Sequence, residues 1–433
     1  MSQPVSHLTR PLSVGIAGLG VVGARTAQLL LSPLTSHPDL QLELTAVSAR
    51  SKDADRGFSM DGVDWVDDCR DMAQRDDIDI IVELIGGSEG IAKELVEQAL
   101  ASGKHVVTAN KALIAHHGYH LAQLAEGAGV TLSFEAAVAG GIPAIKLLKD
   151  GLVANRVSHI AGILNGTSNY ILSEMTATGR SFDDVLAEAQ EKGYAEADPS
   201  FDIDGVDAAH KLAILAAMAF GEQVDFDAVQ IQGIRDVSDT DIAFAGEFGC
   251  AVKLIGSAER DGIRAVRPCL ISHTQPLASI NGALNAVSYE AEPVNAIQCS
   301  GPGAGAGPTA SAVLADIADI ALGRQSYSFG WPVSSLSEPV NAPAGQARSR
   351  YYIRLMVTDR PGVLHETAGI LKDLQISVES MLQKGQSDDR PVALVMTTHE
   401  TQADAIEQAR LKLCETSFVS GDVMVLPIIS STE

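Results

Sequence analysis

Asp207 and Lys211 stand four positions apart in the stretch DIDGVDAAHKLAIL, residues 202–215, which opens on acids and runs into an apolar segment. On a helix that spacing puts carboxylate and ammonium on one face, a turn apart. The continuation LAILAAMAF is apolar almost all round, the pattern of a buried helix. A lysine entering such a helix needs a reason, because an unpartnered charge is costly to bury. One reason is proton transfer: an ammonium can protonate the oxygen of a carbonyl as hydride reaches its carbon. Asp207 would orient that ammonium and keep it charged. Two plainer readings stand beside this one. Asp204 and Asp207 also fit a capping box, in which Asp207 is only a helix-start acid. An exposed Asp207–Lys211 pair would be worth only about 0.3–0.5 kcal/mol. A calcium loop of the EF-hand type fails, since its first aspartate and terminal glutamate are absent.

A second set of residues binds rather than reacts. Gly18-Leu19-Gly20-Val21-Val22-Gly23 follows an apolar strand-like run and opens a helix-like segment, the context in which G-x-G-x-x-G reads as a dinucleotide fingerprint. Gly18 permits the tight turn, Gly20 lets backbone approach a pyrophosphate, and Gly23 lets helix and strand pack closely. The next strand, ELTAVSA, ends in Arg50-Ser51-Lys52 where an NAD site would place a carboxylate, and Glu43 comes too early. A cationic fork there suits a 2′-phosphate, so NADP(H) is expected to be preferred, with NAD(H) as the alternative. Arg50 could equally be a solvated surface residue.

Lys111 directly follows the apolar strand of VVTANKALI, at the strand end that lines the crevice of an open α/β sheet. In FEAAVAGGIPAI, Glu135 closes an apolar run and Gly140-Gly141 with Pro143 imply an irregular backbone. One carboxylate with several carbonyls suits a hard cation, although a plain turn fits the same residues. The second glycine-rich loop, SGPGAGAGPTASAVLADI, is either another close approach of backbone to a cofactor or a flexible connector.

The elements that must position these residues fall into domains. Residues 1–135 alternate short apolar runs with helical segments, the rhythm of parallel βαβ units and a Rossmann-type domain. Residues 136–330 mix helical and strand-like stretches, an α+β reading, and 331–350 are rich in proline and serine, as in an extended connector. Residues 351–433 follow a βαββαβ order, the ferredoxin-like plan. The chain has 433 residues, 46% apolar and 20% charged, with a formal charge of -24. That charge disfavours nucleic acid, and no apolar run approaches the ~20 residues of a membrane helix. Cys69, Cys250, Cys269, Cys299 and Cys414 are scattered without C-x-x-C spacing, which argues for reduced thiols, a cytoplasmic protein and no zinc site.

In order along nearly the whole chain, GLGVVG, TANKAL, FEAAVAGGIP, GILNGTSNYIL, KGYAEADPSFDIDGVDAAHKLAIL and GPGAGAGPTASAVLADI resemble the motifs of homoserine dehydrogenases. The resemblance is to the form with a C-terminal ACT domain and no fused aspartate kinase. It implies reversible, NAD(P)-dependent interconversion of L-homoserine and L-aspartate 4-semialdehyde, on the route to threonine and methionine. It makes Lys211 the proton donor and acceptor, with Asp207 beside it, Glu196 on the substrate amino group, Asp202 assisting and Lys111 near the nicotinamide. Gly193 and Gly303 would approach the cofactor with backbone. Glu135 with the carbonyls of Val138, Gly140 and Ile142 matches the family's sodium site, for Na⁺ or another monovalent cation. The tail motif DRPGVLHETAGILKD is similar to the ligand turn of ACT domains, which makes Asp359, Pro361, Gly362, Val363 and Leu364 effector residues, with threonine the expected effector. A homodimer or homotetramer is the family expectation.

Two further expectations follow from these roles. Oxidation of homoserine, which requires Lys211 to give up its proton, should run best at alkaline pH. Removal of residues 346–433 should leave an active enzyme insensitive to threonine. Two other readings stay open: a different NADP-dependent amino-acid oxidoreductase, and a non-enzymatic sensor of nucleotide and amino acid.

Overall fold

The structure is a computed structural model that describes residues 10–32, 40–340, 342, 344–383 and 390–429. The ends of the two terminal domains and positions 341 and 343 of the expected connector lie outside the described residues. Contacts divide the chain into two units. The first comprises Met1–Leu164, Ala208–Val229 and Asn285–Pro339; the second comprises Asn165–Asp207, Gln230–Leu284 and Val340–Glu433.

In the first unit the apolar runs read from the sequence become β1 (Leu12–Ala17), β2 (Leu42–Ser48), β3 (Asp64–Trp65), β4 (Ile80–Glu83), β5 (His105–Thr108) and β6 (Leu132–Ser133). They form one parallel sheet in the order β3-β2-β1-β4-β5-β6. That is the doubly wound Rossmann order, whose crevice lies at the carboxyl ends of β1 and β4. β4 is buried at every position, as expected of a central parallel strand. The helices Val21–Leu31, Ile91–Ala101 and Lys111–Ala128 make the crossovers. Val313, Ile317 and Ile320, from the helix Ala306–Ala321, join Val14, Ile16, Val47 and Val82 in one buried cluster. The glycine-rich loop before that helix is thereby anchored to the nucleotide-binding sheet by its own chain.

β6 is shorter than the apolar stretch VTLSFEAAV implies, because the chain turns at Glu135 into a one-turn 3₁₀ segment, Glu135–Ala137. Three more strands of this unit, Asn295–Pro302, Leu284–Glu292 and Arg156–Ile163, are neighbours in that order.

In the second unit one sheet runs through the strands Cys250–Glu259, Arg264–Ser272, Met424–Ile429, Arg348–Val357, Val392–Thr398 and Val378–Gln383, in that spatial order. The last four, with the helices Val363–Asp373 and Ala403–Cys414, are the ferredoxin-like tail. The tail is not hung on a free tether. Its final strand pairs parallel with Arg264–Ser272 through Leu270 opposite Ile428 and Ile271 opposite Ile429. Tyr352 donates its hydroxyl to Asp241 at 2.9 Å, and Arg354 donates to the same fully buried carboxylate at 2.7 Å.

Candidate active site

β1 ends at Ala17, and Gly18 turns the chain with φ +97° while its amide donates to Ser48 O at 2.8 Å. A Cβ at Gly18 would stand 2.5 Å from the Leu84 carbonyl oxygen, and one at Gly23 would stand 1.9 Å from the Gly18 oxygen. Neither distance can hold an atom, so both positions require glycine. Gly20 differs: nothing lies within 4 Å of its ideal Cβ, and it is the N-cap of the helix Val21–Leu31. The open face at Gly20 and the unpaired N–H groups of the helix start fit a pyrophosphate. Leu19 is buried in the core while Val21 is exposed, and Val22 is half-buried, so the loop shows one dry face and one open one. Arg50 is exposed two residues beyond the end of β2.

The opposite lip of the crevice is held by a carboxylate that sequence reasoning passed over. Glu83, 0% exposed at the end of β4, accepts the Thr108 hydroxyl at 2.6 Å and the amides of Ile85 and Gly86 at 2.7 and 3.0 Å. Thr108 accepts the Asn110 amide at 2.9 Å, and the Asn110 side chain donates to Gly87 O at 2.7 Å and caps the next helix through Leu113 N at 3.1 Å. Lys111, the first residue of that helix, is therefore set on a cross-braced pair of loops. An acid closing the apolar strand of IIVELIGG was the available sign.

Lys211 lies in the helix Val206–Phe220 with 8% of its surface exposed, and its Nζ donates to Leu164 O at 2.7 Å. One turn earlier on the helix, Asp207 is 4% exposed. The Asn165 amide donates to Asp207 Oδ2 at 2.8 Å and to Asp202 Oδ1 at 2.7 Å. The same side chain accepts Ser168 N at 2.8 Å and so caps the helix Gly166–Thr178. Asn165 thus brings two of the expected substrate residues together, and it too was missed. Asp204 is occupied elsewhere, in an ion pair with Arg235 at 2.5 Å. Glu196 sits exposed between the helices Phe182–Glu191 and Ser200–Ile203, in a segment held by Gln190, which donates to Glu196 O at 3.0 Å. Gly193, at φ +74°, starts that segment with open space around it.

Family models match in three blocks: a homoserine dehydrogenase NAD-binding domain over residues 18–135, a homoserine dehydrogenase domain over 143–318 and an ACT domain over 351–415. Homoserine dehydrogenase of Neisseria gonorrhoeae is 41% identical over 413 residues, covering 92% of this chain and 94% of its own. That of Pseudomonas aeruginosa is also 41% identical, with 96% and 98% covered. The crystal structure of a homoserine dehydrogenase from Thiobacillus denitrificans superposes with a TM-score of 0.91 at 42% identity, covering 97% of this chain and 98% of that one. The chain belongs to the homoserine dehydrogenase family. It is an oxidoreductase with an NAD-binding Rossmann-like domain, a catalytic domain and an ACT domain. A hyperthermophilic archaeal homoserine dehydrogenase, 26% identical with a TM-score of 0.64 over 73% of this chain and 99% of its own, has been solved in complex with NADPH.

In the first unit the second glycine loop meets the turn at Gly140-Gly141 backbone to backbone. Gly140, at φ +54°, could not carry a Cβ, which would stand 2.4 Å from Gly303 O, and Gly141 N donates to Pro302 O at 3.1 Å. Glu135 is buried, and its carboxylate oxygens accept Ile145 N at 3.1 Å and Lys146 N at 2.8 Å. Burial and the neighbouring Asp316 push its carboxyl up to about 8, against the pull of those two amides. The Glu135 carbonyl accepts Val138 N at 3.3 Å, and the Ile142 carbonyl accepts Ala144 N at 2.7 Å. Each of these oxygens keeps a further lone pair, and the set Glu135, Val138, Gly140, Ile142 offers oxygen donors only, which fits a hard ion. Among the described residues no cluster of three His, Cys, Asp or Glu side chains could hold a metal, and no helix is long and apolar enough to cross a membrane.

In the ACT tail the turn Asp359-Arg360-Pro361-Gly362 leads into the helix Val363–Asp373, with Gly362 at φ +101° as its N-cap. Asp359, Pro361, Gly362, Val363 and Leu364 line one small cavity with Gln383.

Proposed function

We propose that this chain interconverts L-homoserine and L-aspartate 4-semialdehyde with NADP(H) preferred over NAD(H), on the route to threonine and methionine. The observation that carries the reading is the buried Lys211, fixed on the Leu164 carbonyl within an otherwise apolar helix. In the reductive direction Lys211 gives a proton to the forming alkoxide; in the oxidative direction it takes that proton back. Asp207 orients the ammonium, and Asn165 keeps Asp207 and Asp202 in place. Glu196 takes the amino group of the substrate, and Lys111 lies toward the reacting oxygen. Gly18 to Gly23, with the backbone of Gly193 and Gly303, hold the cofactor, and Arg50 takes its 2′-phosphate. The bound nicotinamide supplies or accepts the hydride. Glu135, Val138, Gly140 and Ile142 hold Na⁺ or another monovalent cation.

The same reading makes the enzyme a cytoplasmic homodimer or homotetramer, restrained by threonine through the turn Asp359–Leu364. The division into residues 1–135, 136–330, 331–350 and 351–433 is part of the proposal. It is tested by absorbance at 340 nm as the protein meets aspartate semialdehyde with NADPH, then NADH, with and without threonine. Faster loss with NADPH that Arg50→Glu abolishes supports the chemistry and the cofactor fork. Tight NADPH binding without turnover would favour the sensor reading instead.

A further inference from the structure

Glu83 ends β4 with 0% of its surface exposed, paired in register with Ala17 at the end of β1, where the strand order of the sheet reverses. Its Oε1 accepts the amides of Ile85 and Gly86, and its Oε2 accepts the Thr108 hydroxyl. Three donors converging on one carboxyl group favour the ionised form. Among the described residues no lysine, arginine or histidine pairs with it. A buried carboxylate without a countercharge is costly. Bracing two loops does not require one, because a carboxamide oxygen would accept the same amides while its NH₂ group donated to Thr108. The charge therefore answers to something beyond the local hydrogen bonds.

The surroundings say to what. A Rossmann sheet takes a dinucleotide in two halves, the pyrophosphate lying between them at the glycine turn after β1, which leaves β4, β5 and β6 to carry the nicotinamide half. Positive charge gathers at that half. The helix Lys111–Ala128 starts there, with an ammonium on its first residue and the positive end of its dipole alongside. Asn110 ties this helix start to the loop after Glu83 through Gly87 O at 2.7 Å, so the carboxylate and the helix start belong to one ring of hydrogen bonds. A dihydronicotinamide is neutral and nearly indifferent to these charges. Once hydride has gone the ring is a cation, which the helix start and Lys111 repel and a fixed anion attracts.

We propose that Glu83 is a positioning residue whose buried charge sets the balance between oxidised and reduced cofactor. It favours NADP⁺ on the protein through its field, without touching the ring, and so draws the bound equilibrium toward reduction of the aldehyde. The inference rests on the NADP(H) chemistry proposed above and adds which oxidation state the chain's own charge prefers.

Isothermal titration of the full-length protein with NADP⁺ and with NADPH, without substrate, reads the effect in the absence of turnover. Glu83→Gln is expected to raise the Kd of NADP⁺ about tenfold while that of NADPH stays within about twofold, the order of one unit charge acting through protein. Glu83→Asp and Thr108→Val keep the charge and disturb the brace, so they should weaken both cofactors together and leave the ratio of the two Kd values at the wild-type figure. Equal weakening of both cofactors by Glu83→Gln would make the residue a brace alone and overturn the proposal. Circular dichroism checks each fold; should Glu83→Gln not fold, a changed ratio in either charge-keeping variant still overturns it. Wild-type protein that binds neither nucleotide would end the cofactor reading and this inference with it. A shifted ratio with no turnover at 340 nm would keep the inference and discard the assigned reaction.

Discussion

Lys211 Nζ donates to the backbone carbonyl oxygen of Leu164 at 2.7 Å. The acceptor is main chain, immediately beyond the strand Arg156–Ile163, so the fold itself supplies one fixed point for the ammonium. Lys211→Ala should lower kcat in both directions by roughly 10²–10⁴, the usual worth of a general acid–base group, with little change in KM. Lys211→Arg should fail as well, because a guanidinium does not release its proton. Steady-state rates at 340 nm check both, and a retained kcat in Lys211→Ala would remove the residue from proton transfer.

Asn165 serves two tasks that substitutions can separate. Asn165→Ser keeps a capping oxygen for the helix Gly166–Thr178 but loses the amide between Asp202 and Asp207. Its Tm should stay close to wild type, while kcat/KM for homoserine falls roughly 10–100-fold, the worth of a hydrogen bond to a charged group. NADPH affinity should not move. Equal loss of stability and activity would make Asn165 a cap and nothing more.

The fingerprint glycines predict two kinds of failure. Gly23→Ala puts a Cβ 1.9 Å from the Gly18 oxygen and should cost stability as well as cofactor binding. Gly20→Ala meets nothing within 4 Å and should melt like the wild type while binding NADPH more weakly. Thermal melts beside fluorescence titration with NADPH separate the two.

Lys253 gives a pH dependence whose sign can be worked out. It is 2% exposed and donates to Ile280 O at 2.6 Å, Asn281 Oδ1 at 2.9 Å and Asn169 Oδ1 at 3.0 Å, and burial pushes its ammonium down to about 8. A depressed folded-state value means that the unfolded chain binds more protons between pH 8 and about 10.5, so this group's contribution grows with pH across that window and is lost as pH falls through 8. The swing is on the order of 3 kcal/mol. Urea unfolding of wild type and Lys253→Met at pH 7.5 and 10 should show the wild type gaining on the variant at the higher pH. A constant difference would contradict the depressed value.

The parts of this molecule that were legible in its sequence are those that local physics decides. The glycine spacing at Gly18, Gly20 and Gly23 encodes a turn and a close packing within six residues, and the strand–helix rhythm encodes the parallel sheet. The burial of Lys211 was legible because the helix that carries it is apolar almost all round. What escaped notice depends on distant partners. Asn165 meets Asp202 and Asp207 across 37 and 42 positions, and Glu83 meets Thr108 across 25, so no window of sequence contains either pair. The capping-box reading of Asp204 gave way for a local reason: the helix starts at Val206, one residue later than that reading needs, and Asp204 ends the preceding helix Ser200–Ile203 and pairs with Arg235.

The pairing of Leu270 with Ile428 has a practical consequence for anyone who edits this chain. A cut at residue 346 would not unclip a module; it would tear a continuous sheet along an inner seam, bare the edge of Arg264–Ser272 and strip Asp241 of Tyr352 and Arg354. An inactive truncation would then report a wound rather than a role for the tail. Swapping regulatory tails between relatives carries the same hazard unless the graft brings its own matching strand, so single-residue changes within the intact chain are the sharper instrument.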